Sequence, residues 1–245
     1  MAKIAKQDSQ NLEKILTNKN WQNQLLNFKK LYQSKFQIAF STSFSIEDQL
    51  LTDFLAKNNF NIKFFTLDTG KLFAQTLKLK TLTEKKYSIK IKSYFPDPDS
   101  VRNYIKSFGE DGIYKNRQLR LECCNIRKIA PLNIALENID IWLVGLRKSQ
   151  SQSRHDLTEF SWDAQRNLIK FSPIMRLTDK EIWQYIKANN VPYNPLYDQG
   201  YTSIGCKPCT RINTNKDDPR SGRWWWENNI KECGIHLVDG KLIRK

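Results

Sequence analysis

Cysteines near the C-terminal end of the chain stand in two chemically different settings. Cys206 and Cys209 are separated by two residues, a spacing at which one turn can direct both thiolates to one metal centre. Cys233 stands apart, two residues after Lys231 and three residues before His236, and cations near a thiol lower its pKa and favour the reactive thiolate. The pair is therefore a candidate for metal binding or for dithiol redox chemistry. Cys233 is a candidate nucleophile, with an inert thiol as the alternative.

The adjacent residues Cys123 and Cys124 bring two more thiols into a tight group. Zinc and iron–sulfur clusters both accept four cysteine ligands. Structural zinc more often uses two separated pairs, so the adjacent cysteines favour a larger cluster whose iron atoms lie at different points. Cations close in sequence to the cysteines are suited to offset the thiolate charge: Arg127, Lys128, Lys207 and Arg211.

The composition of the chain fits one soluble domain. Its 245 residues suffice for a two-layer core, and the sequence shows neither a membrane-spanning apolar run nor a signal peptide, so we expect a cytoplasmic protein. Five cysteines in such a chain favour thiol or metal chemistry over disulfides. The net charge of +15 allows nucleic-acid binding, but the lysines are scattered and a small anionic substrate explains the charge as well. We expect neither a nucleic-acid nor a membrane partner.

Apolar runs that alternate with helical patterns predict an α/β fold. The strand candidates are 36–40, 62–67, 87–94, 140–144 and 167–174. Helical periodicity separates them, which is typical of a parallel sheet with helices on both faces. Two amphipathic helices are expected within 9–33, with Ser9 as an N-cap, and a capping box at 178–181 begins a later helix.

Three polar loops follow strands of this predicted sheet and are candidate anion-binding sites. Residues 41–45 join a strand to a helix, and hydroxyl groups and free N–H groups at a helix N-terminus bind phosphate or sulfate oxygens. Residues 68–70 follow the next strand, and residues 145–154, with three cations, follow another. Ligands of parallel sheets bind beyond the carboxyl ends of the strands, so these loops should share one rim. A simple helix cap for the first loop and a solvated third loop are the alternatives.

The chain divides into three predicted regions. These are an N-terminal helical segment (1–35), a nucleotide-binding α/β domain (36–215) and a mobile C-terminal tail (216–245) that carries Cys233. Three consecutive tryptophans at 224–226 are expected to act as a packing anchor rather than as a stacking platform. His155 receives no role.

Eight segments between about Gln37 and His236 resemble, in order, the assimilatory adenylyl sulfate reductases. They are 41–48, the Leu-Asp-Thr-Gly sequence at 67–70, the cysteines at 123–124, 145–154, Tyr-Asn-Pro-Leu at 193–196, Gly-Cys-Lys-Pro-Cys-Thr-Arg at 205–211, 222–226 and Glu-Cys-Gly-Ile-His at 232–236. The resemblance is specific because the paired cysteines, the two-residue pair and the terminal sequence occur together. Two positions depart from the family pattern: Ser45 stands where a glycine is usual, and Ile235 replaces a leucine.

This resemblance implies a fold like that of the adenine nucleotide alpha hydrolases, with a [4Fe-4S] cluster on Cys123, Cys124, Cys206 and Cys209. It implies an oxidoreductase of sulfate assimilation and cysteine biosynthesis that reduces adenylyl sulfate to sulfite and AMP, with thioredoxin or a similar dithiol as electron donor. Cys233 is the expected nucleophile, acting through an enzyme thiosulfonate, and His236 is expected to support it. The residues expected at the substrate are Ser41, Ser43, Phe44, Thr69, Gly70, Lys128, Arg147, Arg154, Arg220 and Arg223.

Four other functions remain open. The first is the same reaction on the 3'-phosphorylated nucleotide. An adenylyl transferase of the same fold is disfavoured because such an enzyme wants a glycine-rich turn, and residues 41–45 hold no glycine. A zinc-bound RNA-modifying protein leaves Cys233 without a role, and a non-catalytic iron–sulfur regulator would release no sulfite. Association into a homo-oligomer is also left open.

Overall fold

The computed structural model describes residues 4–16, 20–150, 157–215, 218–227 and 235. The strands are β1 (Ile38–Ser41), β2 (Lys63–Leu67), β3 (Ile91–Tyr94), β4 (Ile141–Leu143), β5 (Phe160–Asp163) and β6 (Leu168–Phe171). The helices are α1 (Lys6–Leu16), α2 (Trp21–Tyr32), α3 (Ile46–Lys57), α4 (Ala74–Tyr87), α5 (Pro98–Phe108), α6 (Gly112–Lys115), α7 (Arg117–Cys124), α8 (Ala130–Ala135) and α9 (Asp179–Ala188). A π-helical turn, Asn125–Ile129, joins α7 to α8.

The strands pair into one sheet in the order β3-β2-β1-β4-β6-β5. Every neighbouring pair is parallel except β5 and β6, which are antiparallel. The order of connection reverses between β1 and β4, which makes a crevice at the carboxyl ends of these two strands the expected ligand site. Each predicted strand is present, in a shorter form. The sequence analysis missed the edge strand β5, whose Phe160 stacks on Phe171 of β6 with ring centroids 4.2 Å apart.

Alternating side chains of the central strands feed two separate cores, one on each face of the sheet. Phe40 and Leu143 pack in one core, whereas Ala39 and Trp142, their neighbours in sequence, pack in the other. This period of two is what a strand buried on both faces requires. The predicted α/β architecture with helices on both faces of a mostly parallel sheet is therefore confirmed.

The first two helices belong to the packed domain. Leu12 and Leu16 of α1, and Leu25 and Phe28 of α2, are buried in the same core as the strands. The proposed N-cap role of Ser9 is wrong, because α1 begins at Lys6 and the Ser9 hydroxyl donates to the Lys6 carbonyl oxygen inside the helix. The predicted capping box is present at α9, where Thr178 and Glu181 exchange hydrogen bonds.

Residues 218–227 pack against the domain rather than extending away from it. Trp224 is 1% exposed, and the neighbouring Arg223 pairs with Thr210 in a short antiparallel bridge. The packed domain thus continues past the predicted boundary at residue 215, and Trp224 is the anchor that the sequence predicted. Of the tail that was expected to be mobile, 216–245, the structure describes the packed residues 218–227 and Ile235, and the remainder lies outside the described residues. No helix among the described residues is long and apolar enough to cross a membrane.

Candidate active site

A cavity of about 250 Å³ opens beyond the carboxyl ends of β1, β2 and β4, at the reversal of strand order. All three predicted anion-binding loops contribute to its wall. The predicted substrate residues that line it are Ser41, Ser43, Thr69, Lys128, Arg147, Arg220 and Arg223. Phe44 and Gly70 stand in the same loops without lining the cavity, and Arg154 lies outside the described residues.

The first loop is shaped by a left-handed residue and a helix cap. Phe44 is buried and has a φ of 61°, which turns the chain sharply between β1 and α3. Ser45, at the position where the family usually has glycine, is the N-cap of α3 and accepts a hydrogen bond from the Asp48 amide. The amide and the hydroxyl of Ser43 both donate to Asp48 Oδ2 at 2.7 Å. Donors that the sequence assigned to a substrate anion therefore hold an internal carboxylate.

Two carboxylates that the sequence analysis did not single out, those of Glu47 and Asp48, are buried at the first turn of α3. Burial raises the pKa of Asp48 to about 6, and the hydrogen bonds from Ser43 only partly oppose this effect. The loop after β4 approaches this turn closely, because a Cβ atom at Gly145 would collide with the Asp48 carboxylate. The sequence signals for Glu47 and Asp48 were the preference for acids at a helix N-terminus and their place in the segment 41–48 that resembles the family.

Arg147 lines the cavity with its charge already compensated. Its Nε and Nη2 atoms donate to Glu47 Oε1 at 3.0 and 2.6 Å, and Nη2 also pairs with Asp179 at the start of α9. Nη1 donates to the Ser149 hydroxyl and to the Leu177 carbonyl oxygen. Arg147 thus ties α3 to α9 at the cavity wall, in addition to any contact with a substrate.

The four paired cysteines come together in one buried group. Cys124, Cys206 and Cys209 are 6%, 7% and 8% exposed, and Cys123 is half-buried. Electrostatic contacts link Cys123 to Cys206, Cys206 to Cys209, and Cys209 to Cys124. Burial raises the pKa of the Cys123 thiol and raises that of Cys209 to about 12, and binding of a metal favours the thiolate form of such groups.

The loop after β2 connects the cavity to the cysteines. Thr69 Oγ1 lies 3.2 Å from the sulfur of Cys206, and the Thr69 carbonyl oxygen accepts a hydrogen bond of 2.7 Å from Arg127 Nη1. Arg127 also donates to Cys123, so this cation offsets thiolate charge as its place in the sequence predicted. Cys206 lines the cavity, which means that the thiol group and the cavity share a wall.

Arg223 and Trp224 close the other side of the cysteine group. The guanidinium of Arg223 lies against Gly205, where a Cβ atom would displace it, and donates to the Cys209 carbonyl oxygen at 3.3 Å. The Trp224 ring faces three guanidinium carbons, those of Arg223, Arg120 and Arg220, at 4.5, 4.8 and 5.7 Å. The buried indole N–H of Trp224 has no hydrogen-bond partner within the described parts of the chain.

The four cysteines are a donor set that fits a metal cofactor with thiolate ligands. Among the residues that the structure describes, no three His, Cys, Asp or Glu side chains are placed to hold a single metal ion. Four thiols gathered in one buried group, with cations beside them, are the ligands that a cluster of several iron atoms uses. The unpartnered indole N–H of Trp224 is a donor that the sulfur of such a cluster could accept.

The predicted catalytic residues Cys233 and His236 lie outside the described residues, as does Lys231. Ile235, two positions after Cys233, is described, and its side chain lines the cavity. Like Leu67 and Tyr94, it is partly buried and packs against the core on this face of the sheet.

Residues 37–212 match the family model of the phosphoadenosine phosphosulfate reductase domain. The chain belongs to this family. It is 44% identical over 200 residues to adenosine 5'-phosphosulfate reductase of Allochromatium vinosum, covering 81% of the chain and 78% of that protein. It is 46% identical over 199 residues to the enzyme of the same name from Neisseria meningitidis serogroup A, covering 80% and 82%. The sequence-based identification of the family is confirmed.

Solved structures support the same fold at lower identity. The phosphoadenylyl-sulfate reductase of Candida auris, in a phosphate complex, superposes with a TM-score of 0.71 at 24% identity over 86% of this chain and 99% of that one. The FMN adenylyltransferase of Candida glabrata, with FMN and an ATP analogue, gives a TM-score of 0.53 at 15% identity over 85% and 65%. Both similarities cover at least 85% of this chain and confirm the fold expected from the sequence.

Proposed function

We propose that this protein reduces adenosine 5'-phosphosulfate to sulfite and AMP, with thioredoxin as the electron donor. The observation that carries the proposal is the wall shared by the cavity and the cysteine group, formed by Thr69 and Cys206. The chain that has this shared wall is 44% identical to the adenosine 5'-phosphosulfate reductase of Allochromatium vinosum. The buried thiols thus lie next to a nucleotide-sized cleft at the switch point of the sheet.

The charges along the cavity support one orientation of the substrate. Lys128, Arg220 and Arg223 line the side next to the cysteines, where the phosphosulfate group would find its counter-charges. The carboxylates of Glu47 and Asp48 line another part of the wall, and an uncharged adenosine suits that part. A 3'-phosphate would add negative charge near these carboxylates, which favours the unphosphorylated nucleotide over the second candidate, its 3'-phosphorylated form.

The reaction needs a thiolate that enters the cavity, and we assign this role to Cys233. Its thiolate attacks the sulfur atom of the phosphosulfate, the bond from that sulfur to the phosphate oxygen breaks, and AMP leaves, so that Cys233 carries a thiosulfonate. A thioredoxin thiolate then attacks the Cys233 sulfur and releases sulfite. The second thioredoxin thiol resolves the mixed disulfide, which returns the Cys233 thiol and leaves thioredoxin oxidised by two electrons.

The position of Ile235 supports this assignment. Its side chain lines the cavity, and two residues of extended chain span at most about 7 Å, so Cys233 is within reach of the same space. Arg220 and Arg223 on the cavity wall are suited to lower the pKa of a thiol that enters it. We assign His236 a supporting role because a protonated imidazole three residues after Cys233 would also favour the thiolate.

The four paired cysteines are proposed to hold a [4Fe-4S] cluster. When bound, the cluster supplies a fixed charge distribution beside the phosphosulfate. Arg127 orients Thr69 and Cys123, and Lys128 lines the cavity next to this group. Anaerobically purified protein should contain about four iron atoms per chain and no stoichiometric zinc. Stoichiometric zinc without iron would contradict this proposal. We place the reaction in the cytoplasm, where thiols stay reduced.

The substitution Cys233→Ser tests the function directly, because a hydroxyl is a far weaker nucleophile than a thiolate at neutral pH. The variant should keep its iron and bind AMP as the wild type does, but release no sulfite. Wild-type protein incubated with adenosine 5'-phosphosulfate alone should gain one sulfonate on the peptide that contains Cys233, and thioredoxin should remove it. An adduct on another cysteine, or turnover by the variant, would refute the mechanism. Parallel assays with the 3'-phosphorylated nucleotide decide between the two substrates.

A further inference from the structure

Arg120 is a fully buried cation that the reaction described above does not use. It lies on α7 one helical turn before Cys124, with 0% of its side chain exposed. Its Nε and Nη2 atoms donate to the two carboxylate oxygens of Glu227, at 2.8 and 2.7 Å, in a bidentate ion pair. The guanidinium also donates to Cys124 and lies 4.8 Å from the Trp224 ring.

The partners of Arg120 come from two parts of the molecule that must act together. Cys124 is one of the four cysteines proposed to hold the cluster, and it is buried. Glu227 is the last residue of the described stretch 218–227, and Cys233 follows it by six residues, which span at most about 20 Å. One guanidinium therefore contacts a cysteine of the proposed cluster and a residue that stands six positions before the proposed nucleophile.

Arg120 packs on the Trp224 ring together with Arg220 and Arg223, and its bidentate pair with Glu227 adds a fixed direction to that packing. A buried ion pair is seldom more stabilising than apolar side chains of similar volume, but its bidentate geometry fixes direction and distance closely. These properties suit a pair whose task is to set a position.

We propose that Arg120 and Glu227 form a positioning pair. The pair fixes the place of Glu227, six residues before Cys233, relative to Cys124 and the cavity. The proposal rests on the function proposed above in taking Cys233 as the nucleophile. The geometry of a nucleophile is sensitive to small displacements, so loosening the pair should slow the attack on the bound nucleotide more than it weakens nucleotide binding.

The test compares iron-loaded wild-type protein with Glu227→Gln, which keeps the shape of the side chain but removes its charge. The matched control is Glu110→Gln, because Glu110 forms an exposed ion pair of 2.7 Å with Lys71. Iron content and AMP affinity are measured first. The rate of sulfonate formation on Cys233 is then followed by mass spectrometry in a single turnover without thioredoxin, and hydrogen–deuterium exchange is measured across 220–235.

We expect Glu227→Gln to keep its iron, to bind AMP within about twofold of the wild type, and to form the Cys233 adduct at least about tenfold more slowly. Exchange across 220–235 should become faster, and the Glu110→Gln control should match the wild type in every measurement. An adduct rate within about twofold of the wild type, or equal slowing in the control, would overturn the proposal.

A second variant covers the case in which Glu227→Gln loses iron or AMP binding. Glu227→Asp keeps the charge but shortens the side chain by one methylene, and the same slowing at intact iron content is expected. Loss of iron or AMP binding in this variant as well would assign the pair a purely structural role and overturn the proposal. If wild-type protein forms no adduct on Cys233, the proposed function fails. In that case hydrogen–deuterium exchange still tests whether the Arg120–Glu227 pair orders residues 220–235. Unchanged exchange in both Glu227 variants would overturn the positioning role of the pair.

Discussion

At the scale of single residues, two buried charges on the wall of the cavity, those of Arg147 and Glu47, neutralise each other. Arg147 compensates Glu47, which is 5% exposed, and also pairs with Asp179. A substrate that enters therefore meets Arg147 as part of a preorganised ion pair, whereas Lys128, Arg220 and Arg223 line the cavity as further cations. The chemistry of each residue is set by its partner as much as by its type.

The substitution Arg147→Ala should destabilise the protein strongly, because it leaves the Glu47 carboxylate buried and unpaired. We expect a loss of about 3 to 5 kcal/mol, measured as a shift of the denaturant midpoint at constant slope. The added substitution Glu47→Gln should recover part of the loss. Arg102→Ala, at an exposed pair with Asp99, serves as the control and should cost about 1 kcal/mol or less. A similar cost for both single variants would contradict the interpretation.

Asp48 should make stability depend on pH in a definite direction. Its folded-state pKa of about 6 lies above the ordinary carboxyl value, so the folded state binds the proton more tightly than the unfolded state does. The stabilisation is complete below about pH 4 and is lost as the pH rises through 6, in total about 3 kcal/mol. Asp48→Asn removes this titration.

The measurement is the difference in denaturant midpoint between the wild type and Asp48→Asn across this pH range. The wild type should lose stability relative to the variant as the pH rises from about 4 to 7. Asp163→Asn, at a buried carboxylate that is ion-paired with Arg166, provides a comparison at a second site. A pH-independent difference between the wild type and Asp48→Asn would show that the Asp48 pKa is not raised.

At the scale of elements, the start of α3 places the carboxylates of Glu47 and Asp48 in the cavity wall. The left-handed Phe44 turns the chain, and Ser45 caps the helix with a hydrogen bond of 3.3 Å from the Asp48 amide. Serine and glycine are both good N-cap residues, which explains why this chain tolerates serine where the family usually has glycine.

Substitutions at Ser45 should therefore follow the N-cap scale. Ser45→Ala removes the side-chain acceptor and should cost about 1 kcal/mol of unfolding free energy, whereas Ser45→Gly should cost only a few tenths. Thermal or denaturant unfolding of the two variants measures the difference. AMP affinity should fall with Ser45→Ala more than with Ser45→Gly, because the cap fixes the turn that carries Glu47. Equal effects of alanine and glycine would show that the cap has no part in ordering this loop.

At the scale of the whole molecule, the cysteines join segments that are distant in sequence. Cys123 and Cys124 end α7, whereas Cys206 and Cys209 lie in a segment that is bonded to the loop after β2 through Lys207 and Lys71. A cofactor held by all four cysteines would cross-link these segments beside the loop after β2. It would bind the folded state alone.

Removal of iron should thus lower the stability of the entire domain. We expect the thermal midpoint to fall by at least about 4 °C, the shift that corresponds to 1 to 2 kcal/mol in a protein of this size. The fluorescence of the tryptophans should change with it, since Trp224 packs with Cys206 and Cys209. Cys233→Ser protein is the matched control and should show the same loss on iron removal. A midpoint that is insensitive to iron would contradict a structural role for the cofactor.

The sequence by itself determined the order of strands and helices, the family and the grouping of cysteines, because these depend on local periodicity and on residue types at fixed spacing. The edge strand β5 escaped detection because its fit depends on packing against β6. Only the tertiary structure decided that Arg147 faces Glu47 and Asp179, that Asp48 accepts the donors of Ser43, and that Arg120 joins Cys124 to Glu227. These partners lie up to 107 residues apart in sequence, and the physical reason they meet is that burial forces each charge to find a counter-charge in space.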